Sequence, residues 1–86
     1  MTKKEMHSAI NKQVYEWLDE RNIPFELETG GRVTVMAGQN SDDWFDYHQT
    51  HHTVCGCNWM SDEAETIMNE LELFIDGVTQ EFEQSR

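Results

Sequence analysis

The segment PFELETGGRVTVMA, residues 24–37, holds two short runs of alternating apolar and polar side chains around a glycine pair. Successive side chains of a strand point to opposite faces, so this pattern reads as a β-hairpin and its register can be argued. A two-residue Gly30-Gly31 turn would pair Leu27 with Thr34 and Glu28 with Val33, mixing apolar and charged groups on both faces. A three-residue loop, Gly30-Gly31-Arg32, pairs Leu27 with Val35 and Phe25 with Ala37. It gathers Phe25, Leu27, Val33 and Val35 on one face and Glu26, Glu28, Thr34 and Met36 on the other. A slip of one residue would move every side chain across the sheet, so the segregated register is expected.

Outward from this hairpin the chain alternates loop and element. The polar run GQNSDD, residues 38–43, predicts a loop. Period two then resumes on both sides of QTHH, predicting strands over about 44–49 and 53–59 with a tip at Thr50–His52. In this reading Tyr47 faces Cys55, and both Cys55 and Cys57 turn into the core beside Phe45 and Tyr47. Trp59 is expected partly in the core, and Trp44, on the opposite strand face to Phe45, is expected exposed.

Helices flank the strands. Thr2 and Glu5 have the spacing of a capping box, and Met6, Ile10, Val14, Trp17 and Leu18 recur on one arc that also takes in His7. Asn22 and Pro24 end that helix. Ser61 is placed to cap a second helix whose first turn carries Asp62 and Glu63, where negative charge suits the helix dipole. Ala64, Ile67, Met68, Leu71, Phe74, Ile75, Val78 and Phe82 form its apolar stripe. The order α-β-β-β-β-α predicts an α+β fold: a four-stranded antiparallel sheet with two helices packed on one face. The 86 residues make one small acidic domain, 1–86.

Composition narrows the function classes. No apolar run approaches a membrane span and no secretory h-region stands at the N-terminus, which predicts a cytoplasmic chain with its cysteines as thiols. The net charge of −11 is uneven: residues 1–21 sum to zero, 22–59 to −4 and 60–86 to −7. Such a field repels nucleic acid and anionic membranes and attracts basic protein surfaces. The same acidity also serves solubility.

Two sets of candidate site residues follow. On the second helix Glu65, Glu72, Asp76 and Glu83 line one flank of the stripe, and Glu63, Glu70 and Glu81 line the other. Leu73 lies opposite the stripe and is expected exposed between the acidic rows. With Trp44 these residues make a candidate partner-binding face, and Asp42, Asp43 and Asp46 would extend its acidity. The expected partner is a protein with a basic, nucleic-acid-binding surface, engaged by an inhibitor or regulator that imitates nucleic acid.

The alternative set is the segment DYHQTHHTVCGC, residues 46–57. His48, His51, His52, Cys55 and Cys57 are residue types that bind zinc, and His7 could join them. Structural zinc sites, however, draw ligand pairs from separate elements, whereas the local candidates come from one hairpin. A cysteine–histidine nucleophile would need an electropositive setting that this acidic chain does not offer, and no oxyanion-stabilising group is recognisable, so catalysis is not expected. A third reading is an oligomeric accessory subunit with self-contacts through Leu73 and Trp44.

Overall fold

The structure, a computed structural model, describes residues 2–84. Helix α1 spans Lys3–Glu20. Thr2 caps it: its backbone is extended and its Oγ1 accepts from the Glu5 amide at 3.1 Å. The helix stops in a Schellman motif. Asn22 takes a left-handed φ of 57°, its N–H donates to the Asp19 carbonyl, and the Ile23 N–H donates to the Leu18 carbonyl. Asparagine adopts this conformation more readily than most residues, so Asn22 ends the helix before Pro24 is reached. The Arg21 guanidinium lies 3.9 Å above the Trp17 ring and donates to the Trp17 carbonyl, covering the same helix end.

Four strands follow as an antiparallel meander in the order β1-β2-β3-β4: β1 Phe25–Glu28, β2 Arg32–Met36, β3 Trp44–His48 and β4 Thr53–Gly56. The first hairpin keeps the expected faces but slides by two residues. Phe25 pairs with Val35, Leu27 with Val33 and Glu28 with Arg32, leaving Thr29-Gly30-Gly31 as the loop. Gly30 and Gly31 both have positive φ, near 80°, which glycine alone adopts without penalty, so the turn forms around them. A slide of two preserves side-chain parity, and the apolar segregation survives.

The second hairpin departs by one residue. Asp46 pairs with Cys55 and Tyr47 with Val54, so Val54 turns inward and Cys55 outward, contrary to the expected pairing of Tyr47 with Cys55. The cause is a four-residue loop, 49–52, closed by His52 in the left-handed region at φ 55°. The strand ends at Gly56, and Trp59 stands in the following connection, 81% exposed rather than in the core.

Helix α2, Asp62–Gln84, starts as predicted with Ser61 Oγ accepting from the Ala64 amide. Both helices cover one face of the sheet. Val14, Trp17 and Leu18 of α1 meet Ala64, Leu71 and Ile75 of α2 over Val33, Val35, Phe45 and Tyr47. Each fully buried aliphatic side chain gains about 1.5–3 kcal/mol before conformational entropy is charged against it. Among the described residues no helix lies on the opposite sheet face.

Candidate functional site

The apolar stripe fixes how α2 is presented. Because Ala64, Leu71, Ile75 and Val78 are buried, the residues half a turn away must face solvent. Glu63, Glu65, Glu70, Glu72, Asp76 and Glu83 are all exposed, and Leu73 stands among them with 72% of its surface free. The helix contains eight acids and no base between Asp62 and Gln84. Its outward surface is therefore a single-sign field on a rigid rod, with one large apolar side chain in it.

Trp44 does not belong to that surface. It lies on the helix-free face of the sheet beside Met36, its pairing partner on β2, and the two are 36% and 37% exposed. The sheet separates it from α2, so Trp44 and Leu73 face opposite sides of the molecule. The rest of the open face is polar. Asp46 is 4.0 Å from the Arg32 guanidinium, and its Oδ1 lies 3.1 Å from the Thr34 hydroxyl.

Asp43 is not a surface acid either. It is 4% exposed, and its carboxylate accepts from the Ser61 amide at 2.8 Å and from the Asn40 amide at 3.3 Å. Those hydrogen bonds, the Ser61 amide first, hold its pKa below the ordinary carboxylate value against the opposing effect of burial. Asp43 thus ties the entry of β3 to the entry of α2.

The histidine–cysteine segment does not assemble as one ligand set. Cys55 is exposed on the helix-free face, His51 is exposed at the tip, and His52 turns toward α1. Among the described residues no three of His, Cys, Asp and Glu converge as a metal ion would require. His48 and Cys55 share the helix-free face, whereas the His52 ring lies against His7 and Tyr47 on the other side of the hairpin, so the candidate ligands are divided between the two sides.

What the tip builds instead is a polar clamp onto α1. Tyr47, completely buried, donates from its hydroxyl to Asn11 Oδ1 at 2.6 Å. The same oxygen lies 2.8 Å from His52 Nδ1, and His52 Nε2 lies 2.5 Å from His7 Nδ1. Gln49 donates to the Tyr15 hydroxyl alongside. Burial pushes the Tyr47 pKa well above that of a free phenol. His52 is held below the usual histidine value, by burial first and then by His7 and His51. His7 stood out in the sequence as a polar residue within an apolar arc. Asn11, Tyr15 and Gln49 gave no such signal, because their partners lie more than thirty residues away.

Beside the clamp lies an open hollow of about 450 Å³ bordered by Lys3, Lys4 and His7 on α1 and by Gln49 and Thr50 on the tip. No acid lines it. No described helix is long and apolar enough to cross a membrane. Compared with protein-family models, curated proteins and solved structures, the chain matches none.

Proposed function

We propose that the chain is a non-catalytic cytoplasmic binding module whose α2 outer face engages a basic surface on a partner protein, of the kind that handles nucleic acid, as an inhibitor or regulator. The observation that carries this reading is the unbroken acidity of α2 around exposed Leu73. Charge placed only for solubility and helix stability would intersperse both signs and put bases in the last turn. Here the last turn holds no base, Glu83 sits at the unfavourable end of the dipole, and Glu72 and Asp76 repel each other at a spacing of four. Rows of carboxylates on a straight helix can imitate the charge of a phosphate backbone, and Leu73 supplies an apolar anchor within the contact.

The test is capture from host lysate by the tagged chain at low and high salt, with and without competitor DNA or RNA, beside a Glu72→Lys/Asp76→Lys variant. A nucleic-acid-handling protein retained at low salt, released by salt or competitor and lost with the charge reversal is the expected result. A complex indifferent to salt, competitor and reversal would overturn it.

Half-exposed Trp44 and Met36 on the helix-free face favour a second reading, self-association as an oligomeric accessory subunit through that face. It predicts a mass in solution that rises with concentration and returns to monomer in Trp44→Ser.

A further inference from the structure

The acid-free hollow beside the clamp is walled by two elements. Lys3, Lys4, His7, Ser8 and Asn11 line it from the first turns of α1, and Gln49 and Thr50 from the β3–β4 tip. Three other hollows each contain a carboxylate: Glu65 in one beside Gly56, Glu16 and Glu20 in one beside Phe74, and Asp43 in one beside Trp44. In a chain with 17 acids and six Lys or Arg, a hollow with two ammonium groups and no acid runs against the prevailing field. Among the described residues neither Lys3 nor Lys4 pairs with an acid. The acid next to them in sequence, Glu5, is engaged by the Thr2 hydroxyl at 3.1 Å. The clamp also decides which polar groups remain for a ligand. Asn11 Oδ1 accepts from Tyr47, so its amide N–H groups are the uncommitted end. The Ser8 and Thr50 hydroxyls add two further donors. Because His52 and Gln49 hydrogen-bond to His7 and Tyr15 on α1, the two walls are held together before a ligand arrives.

We propose that this hollow binds a phosphate monoester, with the phosphate end held by the Lys3 and Lys4 ammonium groups and by donors from Ser8, Asn11 and Thr50. Lysine serves phosphate as a point-charge partner, and charge-assisted hydrogen bonds are the strong ones. Two cations and three neutral donors match the charge of nearly −2 and the three terminal oxygens of a monoester better than the single charge and two oxygens of a carboxylate. The volume of about 450 Å³ lies in the range of small-ligand pockets and leaves room for the organic part. A nucleic-acid strand, whose charge continues past the hollow, would meet the acidic remainder of the chain. The hollow includes no residue of α2, so the site is independent of the α2 outer face.

The test titrates the isotope-labelled full chain with inorganic phosphate, glycerol phosphate and a phosphoserine peptide, each against sodium chloride at matched ionic strength, and follows the backbone amides by NMR. A phosphate compound should shift the amides of residues 3–11 and 49–50 along one saturating curve, and chloride should not. Tightest binding of glycerol phosphate identifies a free small molecule as the ligand, and tightest binding of the peptide places the phosphate on a protein. Lys3→Gln/Lys4→Gln should weaken binding by roughly tenfold or more, the scale of lost charge-assisted hydrogen bonds. Arg21→Gln/Arg32→Gln removes the same charge beyond the last turn of α1 and on the helix-free face, and should change binding little because screening confines such effects. The absence of shifts, shifts that grow without saturating, shifts that chloride reproduces, or binding undiminished in the lysine variant would overturn the proposal. Lys3 and Lys4 are exposed, and unchanged amide positions in the rest of the spectrum separate loss of the site from loss of the fold.

Discussion

His7 Nδ1 and His52 Nε2 stand 2.5 Å apart, with ring centroids separated by 4.7 Å and planes inclined by 20°. That centroid distance is about the N···N distance plus the two ring radii, so the imidazoles meet edge to edge across α1 and the β3–β4 tip. The hydrogen bonds around them have one direction. Asn11 Oδ1 can only accept, so Tyr47 donates to it, and the Tyr47 oxygen then accepts from His52 Nδ1–H. Neutral His52 therefore offers Nε2 as an acceptor, and His7 donates from Nδ1. A proton added to His52 would set two N–H groups against each other.

The sign of the pH dependence follows. The folded-state pKa of His52 lies below the ordinary value, so the unfolded chain takes up this proton first. The contribution is complete above the unfolded pKa of about 6.5 and is lost as the pH falls. Urea midpoints should drop between pH 7.5 and pH 5. His52→Asn, which tolerates the left-handed backbone and does not titrate, should drop less over the same window. Parallel losses in the two proteins would show that His52 is not the group responsible.

Tyr47→Phe keeps the buried ring and removes the hydroxyl that joins Asn11 to His52. The Asn11 oxygen and the His52 N–H then lose their partner. Leaving part-buried polar groups unpaired costs about 1–3 kcal/mol. Urea denaturation at neutral pH measures it. Pairing the change with Asn11→Ala should cost less than the sum of the two single variants, because both remove the same bond.

The fold was legible where the pattern is local and repeats. Ile10, Val14, Trp17 and Leu18 announced α1, and the α2 stripe announced its buried side. Phe25, Leu27, Val33 and Val35 fixed the parity of the first hairpin, although two adjacent glycines let the turn slide without penalty to that parity. The second hairpin was read one residue out, because nothing in QTHH marks His52 as left-handed in the way a glycine would have. Trp59 continued the alternation of Cys55 and Cys57 past the point where pairing stops. Asp43 read as a surface acid because its partner, the Ser61 amide, is eighteen residues away. Of the candidate face, the α2 acids and Leu73 were visible from the helical period alone. The separation of Trp44 from them needed the layer order.

Asp43 makes a further prediction with Gly38. A Cβ on Gly38 would stand 2.3 Å from Asp43 Oδ2, so Gly38→Ala must displace the carboxylate that holds Ser61. Overpacking of this kind costs about 1–3 kcal/mol. Asp43→Ala alone should lower the melting temperature by freeing the start of α2. In the Asp43→Ala background, Gly38→Ala should cost far less, since the colliding group is gone. Additive losses across this double-mutant cycle would mean that the glycine is required for some other contact.

Leu73 separates binding from stability on α2. Its side chain is 72% exposed and opposite the buried stripe, so Leu73→Ala removes little packing and should change unfolding free energy by less than about 0.5 kcal/mol. Leu71, two residues earlier and fully buried, should lose about 2–5 kcal/mol on the same substitution. If the acidic face docks on a basic partner, Leu73→Ala should raise the dissociation constant while leaving the salt dependence intact, because the anchor is apolar. Glu72→Lys should instead flatten the salt dependence and slow association. Calorimetry of the complex at two ionic strengths distinguishes the two effects, and a Leu73→Ala protein that binds as tightly as the parent would remove the leucine from the interface while leaving the acids in it.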